Sequence, residues 1–357
     1  MKIAVLVSGG VDSSLALALL KKAGHDVHAF YLKIWLEEEI KFLGTDSCPW
    51  QEDLEYVEKV CKQFDVPLEV VPMQREYFDT IVKYAINEVK HGRTPNPDVL
   101  CNNHVKFGLF FDKIDSSFEK VATGHYAQLT EIEGKMHLKQ APDPIKDQTF
   151  FLSHLSEETL RKAMFPIGHL SKNEVRNLAN ELNLPNKNRK DSQGLCFLGK
   201  IKYRDFIGHY VGEKEGDLLE FETENVLGKH KGFWFYTIGQ RKDIRLPDGP
   251  WFVVKKDKEK NIVYVSKNYF SEDKDRNELI VENLNFFAGH IPKKQELKVK
   301  LRHGENFHNC KITPLENGKL HLKLDETDQG IAPGQFTAFY DEDICLGSGV
   351  ISDTSTA

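Results

Sequence analysis

The first half of the chain alternates short apolar runs with stretches in which apolar residues recur at helical spacing. Residues 3–7 form a continuous apolar run that ends at two glycines, and residues 13–22 follow with leucines at helical spacing. The same patterns predict further strands at 27–32, 68–71 and 121–123, and further helices at 51–64, 77–90 and 105–114. Repeated strand–helix alternation is typical of a doubly wound parallel sheet, so we predict an α/β fold that binds its ligand at the carboxyl ends of the strands.

Helical periodicity fades near residue 200, and short strand-like runs separated by turn residues take over. These runs lie at 233–238, 251–255, 262–265, 279–284, 297–301, 319–324 and 335–340. Pro-Asp-Gly, Glu-Asn-Gly and Ala-Pro-Gly turns interrupt them, which indicates β-rich domains. Since 271–277 is polar, we predict an α/β domain over 1–203, a small β-rich central domain over 204–275 and a C-terminal β-barrel over 276–357.

The composition is that of a soluble protein with more than one domain. Of 357 residues, 40% are hydrophobic and 29% are charged, and a chain of this length exceeds one ordinary core. It has no apolar run of the roughly 20 residues that cross a bilayer, and its N-terminus lacks the features of a secretory signal. We therefore expect a cytoplasmic protein with no membrane partner.

The charge balance neither demands nor excludes a nucleic-acid partner. A net charge of −6 argues against a surface that is basic overall, but RNA binding needs only one basic face. Several basic clusters are present, although each by itself is equally well a solvated face: Lys187, Arg189 and Lys190; Lys229 and Lys231; Arg241 and Lys242; Lys298, Lys300 and Arg302.

The six cysteines differ in their sequence surroundings. They lie at positions 48, 61, 101, 196, 310 and 345, with no CxxC pair and no cysteine–histidine spacing that suits zinc. Cys61 stands in a helical apolar pattern, while Cys310 and Cys345 stand in strand-like runs. We expect these three to be buried small hydrophobic residues.

The segment between the first strand and the first helix has the features of a phosphate-binding loop. Gly9 and Gly10 permit a tight turn close to a ligand, and Ser13 and Ser14 stand at a helix N-terminus, which suits a diphosphate. Asp12 is a candidate ligand for a magnesium ion on the phosphates. The predicted contacts are Val7, Ser8, Gly9, Gly10, Val11, Asp12, Ser13 and Ser14.

Other interpretations of this loop are a simple capped strand–helix turn, a P-loop and a dinucleotide-binding loop. The chain has neither the GxxxxGK string of γ-phosphate-cleaving P-loop enzymes nor the GxGxxG string of dinucleotide folds, which disfavours the last two. The string SGGVDSS instead resembles the loop of the PP-loop ATP pyrophosphatase superfamily. Its members cleave ATP between the α and β phosphates and adenylate a substrate oxygen.

Further strings narrow this resemblance to one family. They are GRTPNPD at 92–98 with Cys101 close behind, ATGHY at 122–126, KDQ at 146–148 and DSQGLCF at 191–197. Together with YTIGQRK at 236–242 and PGQ at 333–335, they resemble the tRNA 2-thiouridylase family over nearly the whole chain. The resemblance implies a PP-loop fold, ATP and Mg²⁺ as cofactors, and tRNA as a partner.

The implied reaction is the 2-thiolation of the wobble uridine of lysine, glutamate and glutamine tRNAs. ATP would adenylate the uridine C2 oxygen, and sulfur would arrive from a cysteine persulfide, giving 2-thiouridine, AMP and diphosphate. By this resemblance, Cys196 carries the persulfide and Cys101 is the partner nucleophile, alternately free and in a disulfide with Cys196. Lys187, Arg189 and Lys190 are candidates for activating a thiol only through their closeness in sequence. A relay protein or a cysteine desulfurase would supply the sulfur.

The resemblance also assigns binding residues. Leu32 would touch the adenine and Gly124 the nucleotide, and Asp98 would serve as a general acid or base. The residues that would contact tRNA, the first three of them at the target base, are Asn96, Pro97, Asp98, His125, Lys146, Asp147, Gln148, Arg302, His303 and Gln335.

Simpler structural roles and other classes of protein remain open at this point. Without the resemblance, Asn96–Asp98 is a good turn, His125 a capping or core histidine, and Cys101 a buried thiol. A different PP-loop enzyme acting on a small carbonyl or carboxylate substrate would need neither paired cysteines nor RNA-binding β domains. A noncatalytic RNA-binding protein with a degenerate nucleotide site would not turn ATP into AMP.

Overall fold

The computed structural model describes residues 1–34, 49–190, 203–274 and 276–355. Cys48 and Cys196 lie outside these residues. The strands, in chain order, are β1 Lys2–Leu6, β2 Asp26–Lys33, β3 Leu68–Pro72, β4 Lys120–Ala122, β5 Gln128–Ile132, β6 Lys135–Lys139, β7 Ala163–Met164, β8 Gly216–Glu220, β9 Val226–His230, β10 Phe252–Asp257, β11 Ile262–Ser266, β12 Glu278–Phe286, β13 Glu296–Lys300, β14 His308–Pro314, β15 Leu320–Leu324, β16 Phe336–Asp341 and β17 Ile344–Ser355.

The helices of the described residues lie mostly in the first half of the chain. In chain order they are α1 Val11–Lys22, α2 Pro49–Phe64, α3 Gln74–Tyr77, α4 Lys83–Lys90, α5 Pro97–Leu100, α6 Thr149–Leu152, α7 Glu157–Lys162, α8 Lys172–Glu181 and α9 Tyr203–Val211, with π-helical segments Phe78–Val82 and Cys101–Leu109 and 3-10 turns Phe111–Lys113, Phe233–Phe235 and Glu272–Lys274. Among these helices, none has the length and apolar character needed to cross a membrane.

The predicted doubly wound parallel sheet is confirmed. Its five strands are all parallel and lie in the order β3–β2–β1–β4–β7. The central strand β1 is buried on both faces, because Ile3 and Val5 pack towards α1 and α2 while Ala4 packs towards the segment that contains Val105 and Phe110. The chain leaves β1 on one side towards β2 and returns on the other at β4, so a crevice opens at the carboxyl ends of these two strands.

The second half forms two β structures, as the sequence predicts. Strands β10, β11, β8 and β9 make a four-stranded sheet, and β12, β15, β14, β13, β16 and β17 close into an antiparallel barrel because β12 also pairs with β17. The prediction of a strand over 233–238 is wrong. Phe233–Phe235 is a 3-10 turn, since Tyr236 N–H bonds to Phe233 O and the aromatic side chains turn into the core of this sheet.

A hairpin of the first half joins the barrel. Strands β5 and β6 pair with each other, and β6 also pairs with β17 through Leu138 opposite Cys345. The sequence patterns did not predict this hairpin, because its partner strand lies some 200 residues further along the chain. The pairing makes the barrel and the parallel sheet neighbours, with one apolar core between them that includes Leu138 and Tyr340.

A buried ion pair fixes this junction. Lys300 Nζ of β13 lies 3.0 Å from Asp147 Oδ2, with 1% and 0% of their side chains exposed. Asp147 also accepts hydrogen bonds from Ala141 N and from Thr149 Oγ1, and Thr149 Oγ1 lies 3.0 Å from Tyr340 OH. A buried charge pair is tolerated only when its remaining hydrogen-bonding capacity is used, and here several partners share the carboxylate.

Removing one member of this pair should destabilise the junction strongly. Lys300→Ala leaves a buried, unpaired carboxylate and is expected to lower the free energy of unfolding by about 3–5 kcal/mol. Asp147→Asn combined with Lys300→Met removes both charges, keeps an oxygen acceptor for Ala141 N, and should recover most of that loss. Urea unfolding measures the difference, with Lys298→Ala, an exposed lysine of the same strand, as the control. Equal unfolding midpoints for Lys300→Ala and Lys298→Ala would contradict this account.

Candidate active site

The loop after β1 turns tightly and exposes its tip. Gly9 has φ +76°, and a Cβ on it would lie 2.7 Å from Asp53 O, so only glycine fits there. Ser13 closes the turn, because its hydroxyl accepts from Ser8 N at 3.2 Å and donates to Gly10 O at 3.2 Å. Ser8 is exposed while Gly9 and Ser13 are buried. The backbone is thus fixed before any ligand binds.

Helix α1 begins directly behind this loop. Gly10 precedes its first residue, Val11, and has no side chain to cap the helix. The first N–H groups of a helix have no partner within the helix, and they carry a partial positive charge. The end of α1 therefore suits an anion such as a phosphate group.

The end of β4 packs directly on this loop. A Cβ on Gly124 would lie 2.5 Å from Ser13 N and 2.7 Å from Asp12 C, so a larger residue would push the two segments apart. Gly124 therefore touches the loop backbone and stands where the sheet changes direction. Leu32, the other predicted nucleotide contact outside the loop, lies half-buried near the carboxyl end of β2.

Asp12 is held by side chains that the sequence did not single out. Lys172 Nζ lies 2.8 Å from Asp12 Oδ1 and 3.0 Å from Oδ2, and Tyr126 OH donates to Oδ1 at 2.8 Å. Gln148 holds Tyr126 in turn, since Gln148 Oε1 accepts from Tyr126 N and Gln148 N donates to Tyr126 O. Lys172 opens helix α8, whose N-terminus is fixed by a capping box of Ser171 and Glu174.

Two further polar side chains hold the loop through hydrogen bonds. Asn186 Nδ2 donates to Gly9 O at 2.8 Å and to Ser14 Oγ at 2.9 Å. Arg189 donates to Gly9 O at 3.1 Å and forms an ion pair with Asp53. Burial raises the pKa of Asp53 above its ordinary value, although Arg189 opposes that increase. In this structure Arg189 therefore stabilises the loop at residues 7–14.

A second loop carries the predicted catalytic pair Asp98 and Cys101. Asn96 caps the short helix α5 by accepting a hydrogen bond from Val99 N at 3.4 Å, and Pro97 occupies the first helical position. Helix α5 continues without a break into the π-helical segment that begins at Cys101, which is 3% exposed. Burial raises the pKa of Asp98.

The π-helical segment brings a lysine to this pair. The sequence predicts an α-helix over 105–114, whereas Phe110 N–H bonds to Val105 O, five residues back. Lys106 therefore stands one π-helical turn after Cys101, and its Nζ donates to Asn102 Oδ1 at 3.0 Å. Its charge opposes the raised pKa of Asp98 and helps to lower that of His125. Helical periodicity gave no signal for Lys106, because a lysine within a helical pattern does not reveal its neighbours in space.

His125 connects the two loops. It follows Gly124 directly, and its Nδ1 lies 2.7 Å from Thr123 Oγ1. Burial and then the charge of Lys106 hold the pKa of His125 well below its ordinary value, so the imidazole is neutral at physiological pH. The ring of His125 lies 6.1 Å from the ring of Phe165, which lies 6.1 Å from the ring of Phe107 on the segment of Cys101, so packed side chains connect the two loops.

The predicted tRNA contacts occupy different environments. Arg302 keeps 53% of its side chain exposed while pairing with Asp328, and the ring of the exposed His303 lies 4.7 Å from the ring of Phe151. Lys146 is half-buried, and Asp147 is fully buried in its pair with Lys300. The side chain of Gln335 bonds to the backbone at Thr94 and Pro95 and to the Asn96 side chain.

The three cysteines expected in the core are confirmed there. Cys61, Cys310 and Cys345 are 4%, 3% and 0% exposed. Burial raises the pKa of Cys61 to about 11, and the pKa values of Cys310 and Cys345 to about 12. These thiols are poor nucleophiles, because the thiolate is the reactive form.

The fold and these two loops define the class of protein, which is a multidomain α/β protein of the HUP type. A loop typical of nucleotide binding lies where the strand order of its sheet reverses. Family models match in three consecutive parts, described as the tRNA methyl transferase HUP domain over 1–200, the tRNA methyl transferase PRC-barrel domain over 204–267 and the aminomethyltransferase beta-barrel domain over 276–351.

Relatives specify the family. The tRNA-specific 2-thiouridylase MnmA of Parabacteroides distasonis is 46% identical over 360 residues, covering 99% of each chain, and that of Porphyromonas gingivalis is 44% identical over 362 residues, covering 99% of each. The chain belongs to the tRNA-specific 2-thiouridylase family. Among solved structures, NMN synthetase from Francisella tularensis matches 60% of this chain and 78% of its own at 12% identity and a TM-score of 0.34. A likeness that slight carries no argument about the site.

The buried thiols should resist alkylation in the folded protein. At pH 8, iodoacetamide should modify Cys61, Cys310 and Cys345 at least about 100-fold more slowly than in the urea-unfolded chain, since both the thiolate fraction and access are reduced. Mass spectrometry of peptides after timed quenching measures each rate. Modification of Cys345 at a similar rate in both states would contradict its assignment to the core.

Proposed function

We propose that this chain catalyses the ATP-dependent 2-thiolation of the wobble uridine of tRNA, giving 2-thiouridine, AMP and diphosphate. The observation that carries this proposal is the packing between the loop at residues 7–14 and the segment that begins at Cys101. Gly124 touches Ser13, and the ring of the next residue, His125, packs through Phe165 against Phe107 of that segment. A nucleotide at the first loop and a thiol at the second would thus meet in one crevice. The relatives named tRNA-specific 2-thiouridylase add support over the full length of the chain.

The chemistry requires both halves of this site. The C2 oxygen of uridine is a poor leaving group until adenylation lets it depart as AMP. A persulfide on Cys196, which lies outside the described residues, would hold the sulfur. Attack by the Cys101 thiolate on the Cys196 sulfur forms a disulfide and releases hydrosulfide, which adds to C2 as AMP departs. A thiol reductant then restores both cysteines.

The nucleotide would bind at residues 7–14 and Gly124, with Leu32 against the adenine. Lys172 and the N-terminus of α1 would hold phosphate oxygens, because both present positive charge beside Asp12. Asp12 suits Mg²⁺ as an oxygen donor that is 30% exposed at the loop. The described residues hold no cluster of three such ligands, so the phosphates would supply the others. Bound there, magnesium would neutralise charge on the departing diphosphate.

The RNA would lie across the catalytic domain and the barrel. Asn96, Pro97 and Asp98 would face the target base, which must leave its stack to reach the thiol. Residues 125, 146–148, 302 and 303 would contact the surrounding tRNA, Asp147 indirectly, since it has no exposed surface. We further propose the division into domains at 1–203, 204–275 and 276–357, action in the cytoplasm on lysine, glutamate and glutamine tRNAs, and sulfur supply by a relay protein or a cysteine desulfurase.

The test is thiolation of unmodified glutamate tRNA with ATP, magnesium, and a cysteine desulfurase with cysteine. Mass spectrometry should show one oxygen replaced by sulfur at the wobble uridine, with AMP formed. Cys196→Ser and Cys101→Ser should each abolish thiolation and leave tRNA binding within a few-fold, whereas Cys61→Ala, a buried cysteine away from the site, should stay active. AMP without thiolation would point to another PP-loop substrate. Neither product from folded protein would favour a noncatalytic RNA-binding role.

The pH profile tests the place of Lys106. If ionised Asp98 acts as a base, activity falls as the pH drops through its pKa. Lys106 opposes the raised pKa of Asp98, so Lys106→Gln should raise that pKa further and move the acid limb of kcat/KM to higher pH. The rate at pH 6 should then fall severalfold more than the rate at pH 8.

Two variants sharpen this measurement. Lys106→Arg keeps the charge and should restore the wild-type limb, while Lys90→Gln, at an exposed lysine, should leave it unchanged. An acid limb that stays fixed in Lys106→Gln would exclude Asp98 as the titrating group.

A further inference from the structure

A barrel loop and the loop that leads to Asp98 lie in direct contact. Gln335 Nε2 donates to Thr94 O at 3.1 Å and to Pro95 O at 2.9 Å, and Gln335 Oε1 accepts from Asn96 Nδ2 at 3.3 Å. Thr94 N donates to Pro333 O at 2.8 Å. Four hydrogen bonds therefore join three consecutive residues of one domain to the other.

The contact depends on a glycine in the barrel loop. Gly334 has φ +92°, and a Cβ on it would lie 2.8 Å from Thr94 O and 2.9 Å from Arg93 Cβ. A side chain there would separate the two loops. The sequence string PGQ at 333–335 is thus explained by this contact.

The hydrogen bonds determine how both amide groups point. Thr94 O and Pro95 O can only accept, so the Gln335 NH₂ group must face them and its oxygen must face Asn96. Asn96 then has to present its NH₂ group to Gln335, which leaves its oxygen towards Val99 N. The orientation of Gln335 therefore selects the one orientation of Asn96 that caps α5.

The barrel side of this contact is rigid. Gly334 N donates to Ile351 O and Ile351 N donates to Gln335 O, both at 2.8 Å, which ties the loop to β17. The next residue, Phe336, is 1% exposed. Loop 94–96 is therefore held by a firmly anchored neighbour.

We propose that Gln335 is a positioning residue for thiolation, which acts through Asn96 on the helix that carries Asp98 and on Cys101 immediately after it. The inference rests on the proposed function only in that Asp98 and Cys101 perform the chemistry. Both N–H groups of the Gln335 amide donate to the loop at 94–96, so this side chain acts mainly on that loop. The barrel, in this view, completes the catalytic site in addition to holding RNA.

Steady-state kinetics separate positioning from RNA contact. Gln335→Ala should lower kcat about tenfold or more and change KM for tRNA by less than about twofold, because a misplaced catalytic group affects the chemical step. Gln335→Glu should be at least as impaired, since its carboxylate faces two carbonyl oxygens. Gln295→Ala, at an exposed glutamine of the same barrel, should match the wild type.

Hydrogen–deuterium exchange without tRNA or ATP tests the link independently of activity. In Gln335→Ala, amides of 96–101 should exchange about tenfold faster than in wild type, and those of the loop at 8–14 should be unchanged. Asn96→Ala should produce the same pattern, and the double variant should add little to either, because both act through one hydrogen-bonded unit. If Gln335→Ala does not fold, exchange measured on Asn96→Ala tests the same link.

Distinct results overturn the inference or the proposed function. Unchanged exchange over 96–101 would overturn the positioning role, and a raised KM for tRNA with unchanged kcat would overturn it in favour of an RNA contact. A wild-type protein that does not thiolate tRNA would overturn the proposed function. The exchange experiment would then still decide whether Gln335 controls the loop.

Discussion

Lys300 of the barrel and Asp147 of the catalytic half form an ion pair from which water is excluded, and the candidate site is built outward from it. Asp147 anchors the segment in which the next residue, Gln148, holds the backbone of Tyr126. Tyr126 in turn donates to Asp12 at the phosphate-type loop. An unpaired charge at that depth would be very costly, so the pair disfavours any other register between the barrel and the first half of the chain. The geometry of the nucleotide loop therefore depends on a residue of the barrel.

The second loop depends on the barrel by a different kind of interaction. Gln335 and Pro333 hold Thr94, Pro95 and Asn96 through neutral hydrogen bonds at a partly exposed junction, where each bond is worth little. Such contacts fix direction, because amide groups discriminate between donors and acceptors. The barrel thus disfavours other registers through the ion pair and sets the orientation of amide groups through Gln335.

The local features of the site were predictable from sequence, and its long-range features were not. The string around Gly9 predicted the loop, and the repeated alternation of strands and helices predicted the parallel sheet with its cleft, since both signals come from neighbouring residues. Lys172 lies 160 positions from Asp12, and no periodicity relates the two. Lys106 was not singled out, because a lysine within a helical pattern does not reveal its neighbours in space, and Arg189 was placed near a cysteine string because sequence distance was the only guide. The hairpin at 128–139 was missed because its partner is in the barrel.

Two histidines near the second loop have lowered pKa values, so the positive charge beside Asp98 comes from a lysine. Burial lowers the pKa of the half-buried His125, and it lowers the pKa of the half-buried His154 to about 4. At neutral pH these two rings are uncharged, whereas the charge of Lys106 opposes the raised pKa of Asp98. A histidine in that place would change its charge near physiological pH, because the ordinary pKa of histidine lies there and that of lysine lies far above it. The positive charge beside Asp98 therefore comes from lysine and not from these histidines, in a protein whose net charge is −6.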